Sequence, residues 1–244
     1  GLLEAARRAG AVLCARAAVE RIEPRTGGGF RLATARGPVE AGEVVVATNG
    51  YTGAVTPKLR RRIVPVASHI IATEELPEDL ARGLIPQDRT INDTPRILCY
   101  YRLSPDGRRM IFGGRARFTQ AGPDVSAPAL HAMMTARFPQ LAEARVTHAW
   151  TGNVAFAFDH LPHMGTLDGL HYCLACNGSG IAMMTYLGHR TAQRILGGRN
   201  APASAFEDGR FESRPLYRGD PWFLPLVGSY YRARDRIDRW LAPA

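Results

Sequence analysis

Residues 170–196 have the pattern of a buried strand, a glycine-containing turn and an amphipathic helix, and this unit restricts the fold more than any other. The strand, 170–175, is mostly apolar, as expected where both faces are covered. Asn177-Gly178-Ser179-Gly180 interrupts it, and 181–196 carries apolar residues at helical spacing until Gly197-Gly198. A strand that leads through a glycine turn into a helix favours an α/β fold. It also leaves the first N–H groups of the helix open to an electron-rich ligand.

The glycine turn has no ligand-specific pattern of its own. Gly178-x-Gly180 lacks the third glycine of the dinucleotide fingerprint and the acidic residue about 20 positions further on. A tight structural turn therefore remains an alternative at this point.

A second apolar strand, 44–47, predicts burial on both faces within a parallel sheet covered by helices. It leads directly into Thr48-Asn49-Gly50-Tyr51, which is small and polar. In open α/β sheets, ligands bind at the carboxyl ends of strands, so this turn is a second candidate binding element.

The remaining segments predict antiparallel structure on either side of these units. A short strand at 11–14 and alternating residues at 18–22 and 30–34, separated by a glycine-rich turn, predict a small meander. From 63 to about 118 the signals are strands and turns, and a helix is expected over 124–138, capped by Asp124 or Ser126. These features indicate a second domain with an antiparallel or mixed sheet.

Composition excludes several classes of protein. The chain has 244 residues and a formal charge of +9, but Lys58 is the single lysine among 31 basic residues, and the arginines are scattered without a recognition-module pattern. No apolar run approaches the roughly 18 residues of a membrane helix. The segment 230–241 interleaves arginines with Asp235 and Asp238, as in the solvated face of a terminal helix. We expect a soluble cytoplasmic protein with neither a nucleic-acid nor a membrane partner.

Two other chemistries are considered and not favoured. Cys173 and Cys176 have C-x-x-C spacing near His171, but residues three apart on a strand point to opposite faces, and no second such pair follows. We therefore predict no metal site. Ser179 lies between glycines, but a nucleophile elbow needs glycine at the position of Asn177, which argues against a serine hydrolase.

Two charged residues have open roles. Asp159 precedes Leu161-Pro162 closely enough to be a turn-capping carboxylate, which is favoured over direct chemistry. Arg115 ends an apolar strand after Gly113-Gly114 and could pair with a substrate carboxylate or with a protein carboxylate.

Taken in order, these motifs resemble the second half of an FAD-dependent amine or amino-acid oxidase. The resemblance is to the D-amino-acid oxidase superfamily, nearest to its gamma-glutamylputrescine oxidoreductase-like members, and it covers almost the whole chain. It is carried by the stretches 44–52, 110–115, 150–152, 159–165, 177–181 and 215–223.

The resemblance implies the C-terminal part of a Rossmann-like FAD-binding domain with an inserted substrate domain built on a mixed or antiparallel sheet. Residues 1–51 would be a partial FAD-binding domain that lacks the N-terminal dinucleotide fingerprint, and 52–149 the substrate domain. Residues 150–198 would return to the FAD-binding domain, and 199–244 would form a tail with a terminal helix.

The resemblance also implies cofactor contacts. Val19 matches a position whose backbone contacts the adenine, while Ala47, Thr48 and Asn49 match the turn beside the dinucleotide. The positions that match the turn over the flavin pyrimidine are Gly178, Ser179, Gly180 and Ile181. Some relatives attach flavin through a cysteine before the Asp-x-x-Pro-like segment; 150–170 contains none, so non-covalent FAD is expected.

The implied reaction is hydride removal from the carbon beside an amine nitrogen, with electrons passing to oxygen or another acceptor. The expected partner is a small amine or amino acid. Arg115 and Tyr101 are the candidate catalytic residues, and Tyr100, Phe156 and Phe158 are further candidates because strand ends of the substrate domain should face the flavin. Ala182 stands where sarcosine-oxidase-type relatives place a lysine for the substrate carboxylate, which argues against a small N-methyl amino acid.

The resemblance leads to one further expectation. The strand, G-x-G-x-x-G turn and acidic residue with which the family begins are missing from this sequence. We therefore expect the chain, as it stands, to be a fragment that binds FAD weakly or not at all. The alternative is a non-enzymatic remnant or binding module that keeps the fold without a cofactor.

Overall fold

The computed structural model of the protein describes residues 1–115, 122–207 and 210–241. Within these ranges the α-helices are α1 (Leu2–Arg8), α2 (Pro57–Arg60), α3 (Glu78–Leu84), α4 (Pro123–Thr135), α5 (Gly180–Gly197) and α6 (Leu224–Leu241). The strands are β1 (Val19–Pro24), β2 (Phe30–Thr34), β3 (Gly37–Ala41), β4 (Val45–Val46), β5 (Val64–Thr73), β6 (Ile91–Asn92), β7 (Cys99–Leu103), β8 (Met110–Gly114), β9 (Val146–Phe156), β10 (His163–Leu167) and β11 (Leu170–Leu174).

The strands form three sheets, which we call the meander sheet (β1-β2-β3), the small sheet (β10-β11-β4) and the large sheet (β6-β7-β8-β5-β9). This mixture of helices and sheets confirms the predicted α/β (α+β) class. The end of the strand region, predicted to reach about residue 118, lies outside the described residues beyond 115.

The large sheet is antiparallel, and its longest pairing joins β5 to β9 from Val64 opposite Phe156 to Thr73 opposite Val146. Sequence reasoning missed β9 as a continuous strand, because Gly152 and the polar residues around it obscure the alternation. The predicted domain boundary between residues 149 and 150 falls inside β9. The division into domains therefore stays a prediction, and β9 belongs to the same sheet as the segment before it.

Helix α4 covers one face of the large sheet. Leu130 and Met134 of this helix are fully buried against Ile71 and Phe112 of the sheet. The predicted caps Asp124 and Ser126 were wrong, because Gly122 occupies the N-cap and the helix begins at Pro123. Proline suits the first helical position, where no N–H is needed, so the helix begins one residue earlier than expected.

The small sheet contains one parallel pair, in agreement with the parallel setting predicted for 44–47, although the sequence did not indicate its partner strand. His171 and Tyr172 of β11 lie opposite Val45 and Val46 of β4, and β10 pairs antiparallel with β11. The expectation that 44–47 is buried on both faces was wrong: Val46 is buried, but Val45 is 42% exposed. Val46 packs in the core with Ala155 and Leu174, whereas Val45, on the opposite face, borders a cavity beside α5.

The meander is confirmed, with β2 pairing antiparallel to both β1 and β3. The short strand expected at 11–14 was wrong. In the described chain those residues form no strand, and Val12 and Leu13 are exposed, so no packing favours the extended conformation there.

The terminal helix α6 begins at Leu224, before the predicted start at 230. Its acidic residues are not simply solvated. Asp235 accepts hydrogen bonds from the backbone N–H groups of Arg96 and Ile97, both at 3.1 Å. In the described chain, none of the helices is long and apolar enough to span a membrane.

Substitution of Gly50 would test how closely the turn after β4 packs on β9. Gly50 is buried, and a Cβ added there would overlap the backbone carbonyl of Asn153. We expect Gly50→Ala to lower the free energy of unfolding by about 1–3 kcal/mol, because the backbone must shift. In the control, Gly83→Ala in α3, the new methyl group meets open space. That substitution should raise stability by up to about 1 kcal/mol, with both values read from equilibrium denaturation. Equal stability of Gly50→Ala and the wild type would contradict this packing.

Candidate functional site

Asn49 joins the carboxyl ends of β4 and β11. Its side-chain oxygen accepts hydrogen bonds from the backbone N–H groups of Ala175 at 3.1 Å and Cys176 at 3.4 Å. Its side-chain nitrogen donates to the Cys176 sulfur at 3.2 Å. Because β4 and β11 are parallel, their carboxyl ends lie at one edge of the small sheet. The two turns identified separately from the sequence therefore form one site.

Asn177 fixes the glycine turn on β9. Its backbone N–H donates to the carbonyl of Ala155 at 2.9 Å, and its side-chain oxygen accepts from the N–H of Ala157 at 3.2 Å. The side-chain nitrogen donates to the carbonyl of Ala175 at 2.8 Å. Sequence reasoning used Asn177 only to argue against a hydrolase and missed this positioning role. The available signal was an asparagine in a tight turn, since asparagine tolerates the left-handed backbone conformation found here, with φ of 49°.

The N-terminus of α5 is open to a ligand. The helix begins at Gly180, and the side chain of its N-cap residue Ser179 makes no capping hydrogen bond. Helix geometry leaves the N–H groups of the first turn without acceptors inside the helix. Gly178 has φ of 101° and a Cβ there would meet nothing within 4 Å, while Ile181 is 83% exposed. The positive end of this 18-residue helix therefore borders open space and suits an electron-rich group.

The other predicted cofactor residues occupy two places. Ala47 lines a cavity of about 380 Å³ together with Asn49, Cys173 and residues of α5. Thr48 exchanges a hydrogen bond of 2.9 Å with the hydroxyl of Thr52. Val19 is the first residue of β1 and belongs to the meander sheet. The structure thus brings Ala47, Thr48 and Asn49 to one turn and places Val19 in another sheet.

Arg115 and Tyr100 lie together on the face of the large sheet opposite α4. The Tyr100 ring covers Gly113, where any side chain would collide with it, and its hydroxyl hydrogen-bonds to Ser68. The Arg115 guanidinium carbon lies 5.1 Å from the centre of the Phe156 ring, a cation–π arrangement. We call the surface formed by Ser68, Tyr100, Arg115 and Phe156 the arginine face.

The electrostatics of the arginine face follow from partial burial. Burial lowers the pKa of Arg115, while the nearby phenols of Tyr100 and Tyr231 act in the opposite direction. The guanidinium remains charged at any physiological pH. Burial raises the pKa of Tyr100 against the lowering effect of its hydrogen bond with Ser68 and of Arg115. The face therefore presents one cation beside a neutral phenol.

Tyr101 points away from Arg115. Its ring stacks on Phe112 at 5.6 Å and meets the edge of Phe138 at 5.1 Å, within the core beneath α4. Successive residues of a strand face opposite sides of the sheet, so only one of the two neighbouring tyrosines can reach Arg115. The structure brings Tyr100 there. Phe158 lies edge-on to Tyr217 at 5.3 Å, in a hydrophobic cluster that also contains Phe156.

The last residues of β9 and the residue that follows it connect the arginine face to the two turns. Ala155 and Ala157 hold Asn177, and Phe156 between them projects to the opposite side and packs against Arg115. The Tyr51 hydroxyl, from the turn after β4, accepts a hydrogen bond from the N–H of Asn153 at 3.1 Å. The carboxyl end of β9 therefore supports the glycine turn, the turn after β4 and the contact between Phe156 and Arg115.

Asp159 has the turn-capping role that the sequence favoured. It accepts a hydrogen bond from the N–H of Leu161 at 3.0 Å and pairs with the Nε2 atom of His163, also at 3.0 Å. Burial by itself would raise the pKa of Asp159, but the hydrogen bonds from His163 and Leu161 hold it below its ordinary value. His163 is buried and stacks on Phe211 at 4.3 Å, which ties this turn to the tail.

The cysteines of the C-x-x-C pair are both buried and unbridged. Burial raises the pKa of Cys173, and Cys176 accepts the hydrogen bond from Asn49. Across residues 1–115, 122–207 and 210–241, no group of three or more His, Cys, Asp or Glu side chains is arranged to hold a metal ion.

With this geometry established, comparison with known proteins identifies the family. The family model described as DAO, FAD dependent oxidoreductase, matches residues 1–194. The chain belongs to this family. The family assignment made from the motifs is confirmed, and members of the DAO family are FAD-dependent oxidoreductases.

Two curated proteins resemble this DAO-family chain in sequence, and a solved structure resembles it in fold. Gamma-glutamylputrescine oxidoreductase of Escherichia coli (strain K12) is 34% identical over 214 residues, covering 84% of this chain and 48% of that protein. Probable oxidoreductase OrdL of Rhizobium meliloti (strain 1021) is 30% identical over 250 residues, covering 97% of this chain and 55% of that protein. Glycine oxidase from Geobacillus kaustophilus has the same fold, with a TM-score of 0.66 at 19% identity over 88% of this chain and 56% of that one.

The chain thus spans about half the length of the curated relatives it matches. The family assignment is direct, whereas an activity has to be argued from the residues of this chain.

Asn49 offers a test of how the two turns are joined. Asn49→Ala should lower the free energy of unfolding by about 1–3 kcal/mol, because the N–H groups of Ala175 and Cys176 lose their acceptor. The backbone at Asn49 has φ of 46°, so Asn49→Gly removes the same contacts but relieves the left-handed conformation.

The comparison separates side-chain contacts from backbone strain. Faster amide exchange at residues 175 and 176 in both variants, with the larger loss of stability in Asn49→Ala, is the expected result. Unchanged exchange at those two amides would contradict the role given to Asn49.

Proposed function

We propose that the protein is an FAD-dependent oxidoreductase that oxidises a C–N bond of an amine or amino acid. The observation that carries this proposal is the attachment of both the helix N-terminus and the arginine face to the end of β9. The helix N-terminus is suited to an electron-rich ring system, and the arginine face is suited to an anionic substrate group. Two ligands held on adjoining surfaces are what a reaction between cofactor and substrate requires.

The residues of the glycine turn are compatible with FAD. Gly178 and Gly180 leave the N-terminus of α5 free of side chains, and Ser179 and Ile181 are exposed there. We assign the flavin to this turn, with 47–49 beside the dinucleotide and Val19 at the adenine. No cysteine occurs from 150 to 170, which supports non-covalent binding. The N–H groups of α5 would stabilise negative charge on the reduced ring.

We assign substrate binding to the arginine face. The FAD, when bound, supplies the hydride acceptor for the carbon beside the amine nitrogen, and the imine so formed hydrolyses; oxygen or another acceptor then takes the electrons. Arg115 is half-buried and, among the described side chains, makes no ion pair, so a substrate carboxylate would complete its charge pairing. Tyr100 orients the substrate through its neutral hydroxyl, which Ser68 holds in place.

The substrate class that this arrangement favours is an amine that carries a carboxylate. Ala182, in the first turn of α5, cannot supply the charge that a lysine supplies in sarcosine-oxidase-type relatives, so the cation must come from elsewhere. Arg115 is the cation that the arginine face provides. In this division of labour, 1–51 and 150–198 would bind FAD and 52–149 would bind substrate, with β9 shared between the two.

Flavin content tests the proposal directly. Protein expressed from its complete gene should show the visible absorption bands of oxidised flavin, and these should bleach when substrate is added without oxygen. Acid precipitation should release the flavin to the supernatant, as expected for non-covalent binding. Gly180→Leu places a bulky side chain at the N-terminus of α5 and should weaken flavin binding at least tenfold, an energetic loss of about 1.4 kcal/mol.

The control for this variant is Gly83→Leu in α3, where an added Cβ meets nothing within 4 Å. It should leave flavin binding unchanged. A colourless protein after incubation with excess FAD would overturn the proposal and would favour a binding module that keeps the fold without a cofactor.

Arg115→Met tests the carboxylate assignment. Loss of a charge-assisted hydrogen bond of about 1.5–3 kcal/mol should lower kcat/KM for amino acids by about 10- to 150-fold. Amines without a carboxylate should be oxidised as before, because they gain nothing from the guanidinium. The control is Arg82→Met, since Arg82 forms an exposed pair with Glu78 on α3. Equal losses for both substrate classes would contradict a specific contact with the carboxylate.

A further inference from the structure

The C-terminal helix α6 packs on the same side of the large sheet as the arginine face. Its first turn and Tyr231 belong to an aromatic cluster with Val64 and Val66 of β5, and Phe156 and Phe158 join the cluster. Phe156 is the residue that carries the Arg115 guanidinium. The helix therefore reaches the candidate substrate site from the tail of the chain.

Tyr231 is the residue of α6 that both packs in this cluster and influences Arg115. Its phenol is close enough to Arg115 to interact with the guanidinium electrostatically, as is that of Tyr100. The Phe156 ring and these two phenols are therefore aromatic walls beside Arg115. Such walls exclude water and strengthen an ion pair, and a phenol can also donate a hydrogen bond to the bound carboxylate.

The position of α6 is fixed one turn beyond Tyr231. The Asp235 carboxylate is 11% exposed and accepts hydrogen bonds from the backbone N–H groups of Arg96 and Ile97. The Arg96 guanidinium also pairs with Asp235 at 3.3 Å and with Asp238. We call these contacts the Asp235 latch. They connect the helix to the segment that leads into β7, which carries Tyr100.

The neighbouring tyrosine faces the other way. Tyr230 is 59% exposed, whereas Tyr231 is half-buried in the cluster. Adjacent residues of a helix differ by about 100° around its axis, so one helix offers both a site-facing tyrosine and a matched surface tyrosine.

We propose that α6 forms one wall of the substrate site, with Tyr231 contacting the substrate beside Arg115 and the Asp235 latch holding the helix there. The inference rests on the proposed function and extends it, because it assigns substrate selection to the C-terminal helix. Tyr231 is then a residue that determines specificity, and Asp235 is a positioning residue.

The experiment compares four variants of the holoenzyme on amino acids and on amines of graded size. Tyr231→Phe keeps the packing ring and removes the hydroxyl, so KM for amino acids should rise about 2- to 12-fold with kcat unchanged. Tyr231→Ala opens the wall, so the ratio of kcat/KM for bulky over small amines should rise about tenfold or more. Tyr230→Phe and Tyr230→Ala are the matched controls and should leave both quantities unchanged.

Asp235→Asn tests the latch by a different route. It weakens the attachment of α6 without touching the substrate, so it should change the same preference for substrate size while flavin absorbance stays normal. A purely structural role of α6 would instead lower kcat/KM for all substrates in the same proportion. Such a uniform loss, or kinetics of Tyr231→Phe and Tyr231→Ala equal to those of the Tyr230 variants, would overturn the inference.

Failure of this inference can be told apart from failure of the proposed function. If the wild-type protein binds flavin and oxidises amines but its Tyr231 variants keep the same specificity, only the role of α6 in the substrate site is refuted. If the wild-type protein binds no flavin, both the proposed function and the role of α6 are refuted.

Discussion

The pairing of β5 with β9 is the interaction on which the other elements depend. It extends along the whole of β9 and brings the strand's carboxyl end to the small sheet. There Ala155 and Ala157 are buried in one core with Val46 and Leu174, while Phe156 faces the arginine side. Small side chains on one face allow the glycine turn to approach the strand closely. The large ring on the other face supports a cation.

Two asparagines, Asn49 and Asn177, hold the turns of the candidate site in fixed positions. Asn49 and Asn177 both adopt left-handed backbone conformations, which would be costly for most residues. Each compensates with side-chain hydrogen bonds to backbone groups that would otherwise lie unpaired where strands end. The turns are therefore held by directional bonds between neighbouring segments, and α5 begins at a position fixed by β9 and β11.

Much of this architecture could be predicted from the sequence because it depends on patterns of residues that are close together in the chain. The meander, the strand-turn-helix unit and the placement of 44–47 in a parallel sheet depend on apolar runs and glycine turns. What could not be predicted depends on register. Tyr100 and Tyr101 are equivalent in the sequence, and only the pairing of Tyr100 with Gly113 decides which one shares a face with Arg115. The exposure of Val45, which borders a cavity beside α5, likewise depends on how the elements pack and not on composition.

The same limit applied to charged residues whose partners are distant in sequence. Asp235 has the pattern of a solvated helix face, yet its hydrogen bonds go to a segment 138 and 139 positions earlier. Arg115 shows the converse case: a half-buried guanidinium rests on an aromatic ring and, within the described residues, has no carboxylate opposite it. A buried cation without a counter-charge is costly unless a ligand supplies one. Arg115 and the positive end of α5 are held by consecutive residues of β9, so the chain offers two separate places that suit negative charge, which we propose to be those of the reduced ring and of the substrate.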